Sequence, residues 1–199
     1  PRGGEIWKVG ASERLVWETT GTIPQVHLEY SQDHFATVLP ITANLPNAGY
    51  YEWRVPDLSG KDIQIRVADS SDPSVSAALQ FPVQILGDLK LMAPKGAQTL
   101  NAGSEQLISW TTTGTIANVN LHYSTDDFAT SEEIATGVPN QGSYLWQIPQ
   151  LMTHDLKIRV ADASRPEISN TLDRPIAVSG QLAITSPKGT RDSTRFTRP

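Results

Sequence analysis

The chain is written twice. Trp17 and Trp53 recur as Trp110 and Trp146, and Asp69 recurs as Asp162, all at one constant spacing and without a gap. The same spacing carries Thr19-Thr20-Gly21-Thr22-Ile23 onto Thr112-Thr113-Gly114-Thr115-Ile116 and Asp33-x-Phe35-Ala36-Thr37 onto Asp126-x-Phe128-Ala129-Thr130. Pro46-Asn47-x-Gly49 and Arg66-Val67-Ala68-Asp69 follow, onto Pro139-Asn140-x-Gly142 and Arg159-Val160-Ala161-Asp162. A register this strict fixes the organisation before any local reading, because each copy has to be the same folding unit. Two units are expected, over 1–87 and 88–180, each of a size that suits a small sandwich. Residues 181–199 read as the start of a third, truncated repeat or a tail. Leu182-Ala183-Ile184 opens it and Pro187-Lys188-Gly189 echoes Pro94-Lys95-Gly96, but Phe196 stands where the counterpart of Gly103 belongs. The pattern is that of a piece of a longer array.

Within each unit, apolar residues alternate with period two, and the copies act as independent witnesses to the buried face. Leu15 and Trp17 match Ile108 and Trp110, while Val16 between them becomes Ser109. Val26, Leu28 and Tyr30 match Val119, Leu121 and Tyr123, whereas the intervening His27 and Glu29 become Asn120 and His122. Tyr51, Trp53 and Val55 keep the pattern against Tyr144, Trp146 and Ile148, as do Ile63, Ile65 and Val67 against Leu156, Ile158 and Val160. Further strands are expected near Glu5–Val9, Thr37–Ala43 and Phe81–Ile85, with turns at Thr20-Gly21, Pro46-Asn47, Ser59-Gly60 and Asp72-Pro73. No amphipathic helix is found. The expected fold is all-β: two tandem immunoglobulin-like or fibronectin-like β-sandwiches of about seven strands each, arranged end to end. Leu89–Met92 reads as the first strand of the second unit, so Gly87-Asp88 is a two-residue join and the pair is expected to form a rod.

Composition excludes several classes of function. A net charge of −5 argues against a phosphate-tracking surface, so no nucleic-acid partner is expected. The cations Lys188, Arg191, Arg195 and Arg198 read as a solvated tail. No stretch approaches the ~20 apolar residues of a membrane helix, so direct membrane insertion is not expected. No basic-then-apolar leader stands at Pro1-Arg2-Gly3-Gly4, which places any export signal upstream or already removed. Zero cysteines exclude disulfide staples, thiolate catalysis and cysteine-ligated metals.

Gly-Gly-Glu-x-Trp at 3–7, Trp17-x-Thr-Thr-Gly-Thr, Tyr51-x-Trp53-x-Val-Pro56 and Arg66-Val-Ala-Asp69-x-Ser71-x-Pro73 form a recognisable set. The second copy repeats three of them, as Trp110-x-Thr-Thr-Gly-Thr, Tyr144-x-Trp146-x-Ile-Pro149 and Arg159-Val-Ala-Asp162-x-Ser164-x-Pro166. It departs at the opening, where it has Gly96-Ala97-Gln98-x-Leu100. Both units resemble the domain family named after the N-terminal part of yeast cell-wall-synthesis proteins, also called the Ser-Thr-rich glycosyl-phosphatidyl-inositol-anchored membrane family. The resemblance implies an immunoglobulin-like module used in tandem in cell-surface, cell-wall or secreted proteins, with no catalytic residues to carry over and no agreed ligand site.

The residues themselves offer no catalytic constellation. No nucleophile, base and orienting group stand out, and no carboxylate pair marks a cleft. His27, His34, His122 and His154 align with Asn120, Asp127, Glu29 and Lys61, so no histidine position is shared, and no metal-binding spacing occurs. Asp69-Ser-Ser-Asp72 is the nearest thing to a calcium loop, but its counterpart is Asp162-Ala-Ser-Arg165, and an Asx-turn is the competing account. Arg66 and Arg159 are expected on an outward face, held by a cross-strand ion pair or free to recognise a ligand. Trp17, Trp53, Tyr30 and Tyr51 occupy the inward parity and Trp7 aligns with Leu100, so these rings read as core. Tyr50, aligned with Ser143, is the strong candidate for an exposed ring.

The expectation for function is therefore a non-catalytic extracellular structural or adhesive module, without cofactor, catalytic or metal residues. It would form a rod-like part of a surface, filament, layer or secreted protein, with other domains or further copies as partners. The alternative is a glycan-binding accessory domain of a secreted carbohydrate-active enzyme, with Tyr50, His27 and Glu29 sharing one face and Arg54 nearby.

Overall fold

The computed structural model describes residues 1–59 and 61–183; most of the expected third repeat lies outside them. Every element among these residues is a strand. The first sandwich contains β1 (Ile6–Lys8), β2 (Ser12–Val16), β3 (Gln25–Ser31), β4 (Leu39–Pro46), β5 (Tyr50–Arg54), β6 (Lys61–Asp69), β7 (Ser76–Ala78) and β8 (Val83–Leu86). The second contains β9 (Asp88–Ala93), β10 (Thr99–Asn101), β11 (Glu105–Thr113), β12 (Asn118–Ser124), β13 (Glu132–Pro139), β14 (Ser143–Gln147), β15 (Thr153–Asp162), β16 (Ser169–Thr171) and β17 (Ile176–Ser179).

In the first sandwich one sheet runs β1-β8-β6-β3-β4, with β7 alongside β6, and β2-β5 faces it. The second repeats this as β10-β17-β15-β12-β13, with β16 on β15, against β14-β11-β9. Short β1 pairs parallel to β8 and β10 parallel to β17, while the other ladders are antiparallel. This is the immunoglobulin-like arrangement of two sheets about one core.

The strands outnumber the expected seven or so because proline breaks them. A proline has no N–H for the ladder, and Pro82 and Pro175 each split the last strand, giving β7 then β8 and β16 then β17. The expected Phe81–Ile85 strand accordingly begins at Val83. Pro94 divides the first strand of the second unit, whose β9 half pairs with β11 and whose β10 half crosses to β17. The middle strand β4 starts later than the expected Thr37 because Asp33–Thr37 is held in a hydrogen-bonded loop.

The cores follow the inward parity. Trp7, Leu15, Leu28, Trp53, Ile63 and Ile65 are buried in the first, and Ile108, Trp110, Leu121, Trp146, Leu156 and Ile158 in the second. Trp53 packs against Trp7 edge-on at 6.0 Å and against Tyr30 at 5.8 Å, and Trp146 against Tyr123 at 5.4 Å. Without disulfides, these rings supply much of the buried apolar area. Trp17 packs against the first core as expected, but less completely than its counterpart. It lies just beyond the end of β2 and is half-buried, whereas Trp110 sits within β11 and is 4% exposed.

At the join, Leu86 of β8 belongs to the buried cluster of the second sandwich, so an apolar side chain crosses from one unit to the next. A Cβ on Gly87 would sit 2.8 Å from the Thr113 carbonyl oxygen, which only glycine avoids there. The Thr115 hydroxyl donates to Asp57 Oδ2 at 2.7 Å and is the main reason that this carboxyl stays below its usual range. Lys8 pairs with Asp88 at 2.6 Å, but in an exposed position where such a pair contributes little.

Candidate functional site

The motif Asp-x-Phe-Ala-Thr, repeated in both copies, forms the turn after β3 and after β12. Buried Ser124 donates from Oγ to Asp126 Oδ1 at 2.7 Å and accepts from the backbone N–H of Phe128 at 2.9 Å. Asp126 in turn accepts from Thr130 N at 2.9 Å and from its hydroxyl at 2.7 Å. Ser31, Asp33, Phe35 and Thr37 repeat the backbone contacts and the Ser–Asp bond in the first unit. These bonds hold consecutive residues left-handed, His34 (φ 60°) with Phe35 (65°) and Asp127 (57°) with Phe128 (64°), a conformation that costs most side chains energy. The result is a phenyl ring laid over an arginine. Arg66 Cζ lies 4.6 Å from the Phe35 centroid, and Arg159 Cζ lies 3.7 Å from that of Phe128.

The two arginines are thus positioned by the same stack but by different polar partners. Arg66 pairs with Glu29 across β3–β6, as expected for a cross-strand ion pair. Arg159 faces His122 in the ladder and donates instead to the Thr171 hydroxyl at 2.9 Å. The Phe–Arg stack was missed from sequence, although its signal was present in two residues that keep one spacing in both copies.

The glycan-binding constellation does not assemble. His27 and Glu29 lie on β3, whereas Tyr50 and Arg54 lie on β5 in the opposite sheet. Period-two parity separates inward from outward but does not say which sheet a strand joins, and outward residues of the two sheets face away from each other. Tyr50 is exposed and covered in part by Arg14, at 4.2 Å from its centroid. His27 Nε2 stands 3.7 Å from Glu29 Oε2. Asp69 and Asp162 accept from Ser71 N and Ser164 N, each at 2.8 Å, which is the Asx-turn geometry. Among the described residues no group of three or more His, Asp or Glu side chains could hold a metal ion. Among the described residues no helix is long and apolar enough to cross a membrane.

A groove of about 360 Å³ with largely apolar walls lies on the first sandwich. Leu15 and Trp17 form one wall, Ala77 and Leu79 the other, and Leu28 and Val67 the floor. A shallower continuation runs past Thr19, Ile23 and Val75. The groove thus follows the free edge of β2 and the four residues after it. Most of the side chains that line it are apolar, with Arg2 and Glu18 also among them.

No protein-family model matches the chain, and no curated protein matches it either. Among solved structures, it is similar to the fibronectin(III)-like modules of Clostridium thermocellum CbhA, at 13% identity and TM-score 0.31, over 90% of this chain and 92% of that one. A chimeric titin Z1Z2-Z1Z2 tandem has 13% identity and TM-score 0.30, over 89% and 94% of the two chains. The chicken CNTN1 FN1-FN3 domains have 9% identity and TM-score 0.31, over 86% and 65%.

Proposed function

We propose that this chain is a non-catalytic spacer: two sandwiches, 1–87 and 88–180, forming a rod-like part of a cell-surface or secreted protein and holding other domains apart. The observation that carries this reading is the join, where Leu86 is buried in the second core and Gly87 has no room for a side chain. A join built in this way transmits orientation, which a spacer needs and a flexible tether lacks. The surface location rests on the resemblance of the sequence motifs to those of the yeast cell-wall-synthesis family.

Small-angle scattering of the chain tests the rod. The radius of gyration is expected well above the about 16 Å of one compact globule of this length, with a maximum dimension near twice that of one sandwich. A value at the compact limit would refute the spacer reading.

A further inference from the structure

The outward faces of the two smaller sheets differ at two rows of cross-strand pairs, which the repeat makes comparable position by position. On the first sandwich Arg14 faces Glu52 and Val16 faces Tyr50. Arg14 lies 3.6 Å from Glu52 and 4.2 Å over the Tyr50 ring, so this face meets water with an ion pair. On the second sandwich Leu107 faces Leu145 at the Arg14–Glu52 position, and Ser109 faces Ser143 at the Val16–Tyr50 position. Leu107 is 50% exposed and Leu145 57%, and Met92 on neighbouring β9 is 49% exposed. The solvated face of an antiparallel sheet normally carries polar residues. One exposed leucine is ordinary, but two paired across strands beside a methionine form an apolar patch of the kind that a partner covers. Strand β11 is paired on both sides, with β14 and with β9, so the patch belongs to a sheet face and does not depend on an open edge.

This face is complementary to itself. Large and small residues alternate along it, the Leu107–Leu145 row next to the Ser109–Ser143 row. A two-fold axis lying across β11 between these rows sets the leucines of each copy on the serines of the other, and the two sheets then approach to the about 10 Å of face-to-face packing. The same axis sets Glu105 over Thr111 of the other copy, and Thr111 is the ladder partner of Lys90. Glu105 and Lys90 are both exposed, and among the described residues neither has an ion-pair partner within its own chain. The reversal therefore brings opposite charges together at both ends of the patch. We infer that the outward face of β14-β11-β9 is a homodimer interface, in which two copies of this chain pack their Leu107–Leu145 faces together with strands antiparallel. Residues 105–111 and their neighbours offer about 300 Å² of sheet, against the about 800 Å² per partner of a stable interface. The dimer is accordingly weak and concentration-dependent. It is independent of the spacer role, since a chain that never dimerises keeps its own shape.

Sedimentation of the full chain up to roughly 1 mM, where so weak an interface is still populated, reads the association. The mass is expected to rise toward the dimer with concentration. L107R combined with L145E brings the ion pair of the first sandwich to the same positions and should hold the chain at the monomer mass with an unchanged amide spectrum. E105K alone should weaken the dimer about tenfold, because the two-fold repeats the loss. E105K combined with K90E exchanges only the two signs and should restore it. Orientation is read by treating a mixture of E105C and T111C chains with a short bis-maleimide, which should link the mixed pair in preference to two E105C chains. Preferential linkage of E105C to E105C would make the strands parallel and overturn the inference. A chain that stays monomeric over the whole range would overturn it too, as would an L107R/L145E chain that dimerises as tightly as the original.

Discussion

Replacing Trp110 with alanine is expected to cost about 3–5 kcal/mol, while the same change at its repeat counterpart Trp17 costs at least about 1 kcal/mol less. The two rings make the same polar contact, each indole N–H donating to an asparagine Oδ1 at 2.7 Å, Asn140 for Trp110 and Asn47 for Trp17. They differ in what lies beside them. Strand β9 pairs along β11 next to Trp110, which is 4% exposed, and truncation there leaves a cavity with little room to collapse. Trp17 borders the open groove. A chain of two units need not unfold in one step, so amide hydrogen exchange should be read separately on β12 and β15 and on β3 and β6. Equal losses in the two units would mean that Trp17 is as well packed as Trp110.

Ser124→Ala should destabilise the second unit by about 1–3 kcal/mol, because the N–H groups of Asp126 and Phe128 lose their shared acceptor in a buried site. The exposed neighbour Ser131→Ala should stay within about 0.5 kcal/mol. The loop also gives a pH signature. Hydrogen bonds from the Thr130 backbone and hydroxyl, with that from Ser124, lower the Asp126 carboxyl from 3.8 to about 2. A carboxyl depressed in the folded state adds stability above its unfolded value, and that stability fades as the pH falls through the folded one. Acid destabilisation is therefore expected from about pH 4 down toward pH 2, and Asp126→Asn should flatten it. Asp33 is lowered by the equivalent bonds, so part of the slope will remain. A pH profile identical in the Asp126→Asn chain would contradict this reading of the loop.

The fold was legible in the sequence because two aligned copies separate the residues that must stay apolar from those that drift. Leu28 with Leu121 and Ile63 with Leu156 mark buried positions, whereas His27 with Asn120 marks an outward one. What parity cannot encode is which sheet a strand joins, and for that reason Tyr50 appeared to stand beside His27. The left-handed turn at Phe35 and Phe128 was hidden for a different reason. Phenylalanine does not advertise positive φ, and the cause lies in the side-chain bonds of Ser31 and Ser124. The groove was hidden too, because Trp17 and Trp110 are the same residue in the same motif and differ in whether a strand is paired beside them.

The central claim is that two sandwiches are held in one fixed relation by Leu86, Gly87 and the contacts around them. Residual dipolar couplings of backbone amides from residues 1–59 and 88–180 test it most directly. One alignment tensor is expected to fit both sets. Two tensors of different magnitude would contradict the account, since they would mean that the units reorient independently about Gly87.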